Sequence, residues 1–91
     1  MSEAIFGRDP ACDVRVNDEY ASPRHARVWQ DDQGKLWVED LGSTNGTWLG
    51  AWGSFRVHGP TPIGAYKTMW IGRTCIPITA DADIRTARDA P

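Results

Sequence analysis

Apolar and polar positions alternate in short runs along the first 79 residues, and nothing before residue 80 sustains the 3.6-residue period of an amphipathic helix. A period of two puts one face of each run in a core and the other in water. The pattern predicts strands at residues 4–6, 14–16, 25–30, 36–40, 47–49, 55–57, 68–71 and 75–79, with DDQG, STNG and IGRT as turns. Many short strands at this spacing make an all-β sandwich or barrel. The glycine- and proline-rich stretch 50–64 reads as loop with one short strand inside it. Residues 80–91, ADADIRTARDAP, are small and charged, so the expected organisation is one domain over 1–79 and a polar tail over 80–91.

At 91 residues the chain can build a single core. Trp29, Trp37, Trp48, Trp52 and Trp70 are expected to pack in that core and at its rim, because tryptophan buries so much apolar area. Trp52, in a glycine-flanked loop, is the one most open to a ligand.

Composition removes several function classes. No run of 18 apolar residues and no charged segment followed by an apolar one is present, so neither a membrane span nor a signal peptide is readable, and a cytoplasmic location is expected. Cys12 and Cys75 lie far apart, and His25 and His58 complete no ligand spacing; two reduced thiols, no metal and no cofactor are expected. A formal charge of −2 argues against nucleic acid as a partner. Charge type matters more than charge sum here. Eight of the ten basic residues are arginine, and Arg8, Arg24 and Arg27 flank short polar segments in the first third. Arginine suits forked contacts to oxyanions.

Three short pieces carry the chemistry: GR at Gly7 and Arg8, SPRH from Ser22 to His25, and STNGT from Ser43 to Thr47. Each alone is common, and Asn-Gly is an ordinary hairpin signal. Their order and spacing, with strands between them, resemble the forkhead-associated (FHA) family over residues 4–79. The resemblance implies an FHA-like β-sandwich with binding loops at one end, whose members recognise phosphothreonine peptides. It also implies roles. Arg8 would pair with the phosphate, Ser22 and Thr44 would donate hydroxyls to it, and Asn45 would hold the peptide main chain, with Gly7, His25 and Gly46 as scaffold. The residue types fit that ligand, since a phosphothreonine carries nearly two negative charges and three strong acceptors.

Two features depart from the family pattern. Pro23 stands where many members carry Asn or Arg, and it has no N–H to give a phosphate; Arg24 is expected to contact either the phosphate in its place or an acidic side chain of the peptide. Only six residues precede Gly7, room for one strand where the pattern has two. The last strand is then left with an open edge, blunted by Pro77, and a monomer is expected, with an edge-mediated dimer as the alternative.

Other readings fit less of the chain. Ser22 and His25 suggest a nucleophile and base, but no acidic orienter stands in a recognised motif, so the chain is expected not to be an enzyme. A sugar-binding sandwich would need exposed coplanar tryptophans, which Trp29 and Trp37 could supply. The nearer alternative is an FHA-fold assembly module that has lost phosphate dependence, with Pro23 as its argument.

Overall fold

The computed structural model describes residues 3–51 and 54–78; the expectations for Trp52, Thr79 and the 80–91 tail lie outside them. Among the described residues nine strands form two sheets: β1 (Glu3–Gly7), β2 (Val14–Arg15), β3 (Ala26–Gln30), β4 (Leu36–Asp40), β5 (Thr47–Leu49), β6 (Phe55–Val57), β7 (Thr61–Pro62), β8 (Thr68–Ile71) and β9 (Thr74–Pro77). One sheet runs β2-β1-β3-β4-β7 and the other β6-β5-β8-β9. β1 and β2 pair in parallel, and every other pairing is antiparallel. This is the all-β sandwich expected.

Alternation decides what the sheets bury. Ala4, Phe6, Ala26, Val28 and Val38 face inward from one sheet, and Leu49, Val57, Met69, Ile71 and Ile76 from the other, closing one continuous core. None of the four described tryptophans belongs to it. Trp29, Trp37, Trp48 and Trp70 occupy the outward register of their strands and are half-buried there, so the expectation of tryptophans in the core is corrected to packing on the outer faces. The reason is the period of two: each sits one residue away from an inward position, at Val28, Val38, Leu49 and Met69 or Ile71. Trp29 and Trp37 are cross-strand partners, with ring centroids 6.2 Å apart and planes 12° from parallel. Arg27 lies 4.3 Å over the first ring and the Lys35 ammonium 5.5 Å over the second.

The described residues of the stretch 50–64 hold two strands, not one. Thr61 and Pro62 add an edge strand to β4, opposite Val38 and Trp37. A proline there escapes strand-pattern reading, yet an edge is where its missing donor does least harm. At the far side of the other sheet, β9 pairs only with β8 among the described residues, with Pro77 opposite Thr68.

Candidate functional site

Strand register brings four loops to one end of the sandwich. Phe6 stands opposite Ala26, and Ala26 opposite Asp40, so the end of β1, the start of β3 and the end of β4 coincide. In the second sheet Thr47 stands opposite Ile71 and Ile71 opposite Thr74, which brings the start of β5 and the β8–β9 turn to a common edge. GR, SPRH, STNGT and IGRT all fall at these ends. A hollow of about 270 Å³ among Leu36, Ile63, Tyr66, Lys67 and Ile78 belongs to the opposite end, beside the start of β4.

The GR and SPRH loops are laced by backbone bonds. The Arg8 N–H donates to the Ser22 carbonyl at 3.0 Å, the Asp9 N–H to the Pro23 carbonyl at 3.2 Å, and the His25 N–H to the Phe6 carbonyl at 2.8 Å. Gly7 is required by this approach, because a Cβ there would overlap the Pro23 carbonyl oxygen. Pro23 offers no donor, but its carbonyl takes a second bond, from the Cys12 thiol at 3.1 Å. Burial, followed by the nearby Asp9 charge, raises the Cys12 pKa, so this thiol is a packing group between the loops.

His25 ties the SPRH loop to STNGT. It is fully buried, its Nδ1 accepts the Ser22 N–H at 3.0 Å, and its Nε2 lies 2.7 Å from the Gly46 carbonyl. A backbone N–H can only donate, so Nδ1 is the acceptor nitrogen. Nε2 therefore carries the proton and donates to Gly46. One imidazole thus fixes the backbone on both sides of the loop cluster.

Asp40 organises STNGT from below. Its Oδ2 accepts the Gly42 N–H at 3.0 Å and the Ser43 N–H at 2.9 Å, while its Oδ1 accepts the Ser43 and Thr47 hydroxyls. The Ser43 hydroxyl oxygen accepts the Gly46 N–H at 2.9 Å, and Gly46 has a φ of 88°, a left-handed conformation that glycine adopts without strain. Burial pushes the Asp40 carboxyl up, but the Ser43 and Thr47 hydroxyls, the Ser43 N–H and the neighbouring His25 more than offset it, so its pKa is lowered. Asp40 was not singled out from sequence. An aspartate three residues before a serine at a strand end is the signal that could have found it.

The predicted ligand-contacting groups stand on this frame. Ser22 Oγ accepts the Thr44 N–H at 3.2 Å, which leaves its own hydrogen to donate. Thr44 and Asn45 are exposed at the loop tip, and Asn45 Nδ2 donates one hydrogen to the Tyr20 carbonyl at 2.8 Å. The second Nδ2 hydrogen and the Oδ1 of Asn45 remain for a ligand. Arg8 and Arg24 are exposed, and neither forms an ion pair with a described carboxylate. The Arg15 Nε–H donates to the Arg8 carbonyl at 3.2 Å and steadies the loop from outside. Arg27, by contrast, is spent on Glu3 and Glu39 on the outer face of its sheet. Guanidiniums with no described carboxylate at ion-pair distance, beside oriented neutral donors, suit an oxyanion of high charge. Among the described residues no group of His, Cys, Asp and Glu is placed to hold a metal ion, and no helix is long and apolar enough to cross a membrane.

Comparison with known proteins bears on the family and the fold. A sequence profile of the FHA domain matches residues 4–64. The FHA domain-containing protein FhaB of Mycolicibacterium smegmatis is 42% identical over 73 residues, covering 79% of this chain and 44% of that protein. The chain thus spans less than half the length of this curated relative. The FHA domain of the CT664 protein from Chlamydia trachomatis superposes with a TM-score of 0.70 at 25% identity, covering 81% of this chain and 71% of the other. A domain solved in a structural and functional analysis of phosphothreonine-dependent FHA domain interactions gives 0.70 at 26% identity, with coverage of 84% and 74%. The profile match over more than half the chain, on a two-sheet sandwich whose GR, SPRH and STNGT loops meet at one end, makes this chain a member of the FHA family.

Proposed function

We propose that the chain is a phosphothreonine-peptide-binding module that links proteins in a phosphorylation-dependent way in Ser/Thr kinase signalling. The observation that carries this reading is the cluster of Arg8, Arg24, Ser22, Thr44 and Asn45, in which exposed guanidiniums without a described carboxylate partner stand beside hydroxyl and amide donors on braced loops. Arg8 takes the phosphate, Ser22 and Thr44 donate hydroxyls to it, and Asn45 holds the peptide main chain. Arg24 supplies the donor that Pro23 lacks. Support comes also from the similar domain studied for phosphothreonine-dependent interactions. FHA domains are interaction modules, and the buried His25 spends both nitrogens on backbone, so Ser22 has no base beside it to make a nucleophile. A phosphorylated ligand made by a kinase, together with free Cys12 and Cys75, favours the cytoplasm as the working compartment.

Pro23 favours a second reading, an FHA-fold assembly module without phosphate dependence. Sugar stacking is disfavoured, because Trp29 and Trp37 face each other and carry the cations of Arg27 and Lys35. Titration of one peptide in its phosphothreonine, phosphoserine and unphosphorylated forms decides between the first two. Charge-assisted bonds to a phosphate are worth about 1.5–3 kcal/mol each, so Arg8→Ala is expected to weaken phosphothreonine binding by about tenfold or more. Arg24→Ala is expected to weaken it less, and mainly at low salt. Equal binding of all three peptides would favour the assembly module.

A further inference from the structure

Asn45 stands between two arginines that are each mounted on an aromatic ring. On one side its Nδ2 donates to the Tyr20 carbonyl at 2.8 Å, and the Arg73 guanidinium carbon lies 4.4 Å from the centre of the Tyr20 ring. On the other side the Trp48 indole N–H donates to the Asn45 carbonyl at 3.2 Å, and the Arg56 guanidinium carbon lies 5.4 Å from the Trp48 ring centre. Arg56 reaches back over the loop, since a Cβ built on Gly46 would lie 3.1 Å from its Nε.

Both arginines are exposed, and neither has a described carboxylate within ion-pair distance. The contrast is Arg27, which also lies over a ring, Trp29, but is neutralised by Glu3 and Glu39. Asp18 lies beneath the Arg73 turn. Its oxygens are already engaged, accepting the Tyr20 N–H at 2.8 Å, the Arg73 N–H at 2.7 Å and the Thr74 hydroxyl at 2.8 Å. The same bonds lock the IGRT turn onto the loop that precedes Ser22, so Arg73 is carried on a fixed base. Rings restrict where these side chains swing, which lowers the entropy lost when they meet a ligand.

We propose that this site selects a phosphothreonine with acidic neighbours, and that Arg73 and Arg56 read those neighbours from either side of Asn45. The inference rests on the phosphothreonine reading and adds a sequence preference to it. A peptide lying across Asn45 passes between two guanidiniums that have no described carboxylate at ion-pair distance, Asp18 acting on Arg73 only from farther off, and that leaves room for a further negative charge. Carboxylate side chains supply it, in the forked geometry that arginine favours over lysine.

The test uses the whole chain and three phosphothreonine peptides, flanked on both sides by glutamate, alanine or lysine, each beside its unphosphorylated form. The glutamate-flanked phosphopeptide is expected to bind about fivefold or more tighter than the lysine-flanked one at low salt, with the ratio shrinking at high salt. Arg73→Glu and Arg56→Glu are each expected to lower that ratio. Lys67→Glu, the same charge change at the opposite end of the sandwich, is expected to leave it nearly unchanged. Phosphate-dependent binding by wild type with equal affinity for the three flanks would overturn this inference alone. A ratio that Lys67→Glu lowers as much as Arg73→Glu does would also overturn it, because net charge and not local reading would then be responsible. Binding that ignores the phosphate altogether would remove the phosphothreonine reading and this inference with it.

Discussion

The Ser22 N–H donates to Nδ1 of His25 at 3.0 Å, so a side chain with no exposed surface sets the backbone beside a hydroxyl at the rim of the candidate site. The other imidazole nitrogen holds the Gly46 carbonyl, which makes His25 the internal link between two loops that are 21 residues apart in sequence. Rigid loops lower the ordering cost of binding a peptide, and here the rigidity comes from beneath.

Replacing His25 by alanine should therefore harm both fold and binding. It leaves the Ser22 N–H and the Gly46 carbonyl without partners and opens a void, an expected loss of about 2–4 kcal/mol. Urea denaturation reads the stability loss. Where enough protein stays folded, phosphopeptide affinity should fall as well. Unchanged stability would show that water or a neighbouring side chain takes over both bonds.

Asn45 is a different case, because it braces little and faces outward. Among the described residues its side chain bonds to the Tyr20 carbonyl, at an exposed position. Asn45→Ala should cost under about 1 kcal/mol of stability, yet lower affinity for every phosphopeptide by about tenfold. Calorimetric titration across a set of phosphopeptides checks it. A variant that keeps full affinity but ranks the peptides differently would move Asn45 from the main-chain role to a side-chain one.

Asp40 predicts an acid limb in stability. Its carboxylate is favoured in the folded state by the hydroxyls of Ser43 and Thr47, so its folded pKa lies below the unfolded value of about 3.9. The stabilisation is complete above that unfolded value and is lost as pH falls through the folded pKa. Asp40→Asn should be less stable than wild type near neutrality, and the gap should close as acid protonates the wild-type carboxyl. Denaturation at a series of pH values measures this. Parallel stability curves would show that Asp40 contributes no proton linkage.

The side of β9 that no described strand covers bears on assembly. Pro77 removes one backbone donor from this edge strand, and exposed Cys75 faces outward beside it. We expect a monomer of 10.1 kDa in sedimentation at tens of micromolar, in the presence of reductant. A stable dimer that Cys75→Lys dissociates would make the edge an interface. Ile76 is a poor probe for this purpose, because it is buried in the core.

Local signals account for much of the molecule. Alternation placed eight of the nine strands, and glycine at positive φ closed the turns at Gly34, Gly46 and Gly72 as their sequences required. β7 escaped because Thr61 and Pro62 form a strand only by virtue of the β4 edge beside them, and no two-residue pattern contains that neighbour. The GR, SPRH and STNGT motifs, each local in sequence, carry the family resemblance that implies roles for Arg8, Ser22, Thr44 and Asn45, and those roles are the proposal tested above.

What tertiary structure alone decided is how those pieces meet. The proton on His25 is assigned by partners at Ser22 and Gly46, and the need for glycine at position 7 by the Pro23 carbonyl folded against it. Asp40, Tyr20, Arg56 and Arg73 gain their importance from contacts across strands and loops, some more than 50 residues apart along the chain. Sequence alternation says which face a side chain takes. Only the pairing of strands brings its partners within the few ångströms over which hydrogen bonds and guanidinium–ring contacts act.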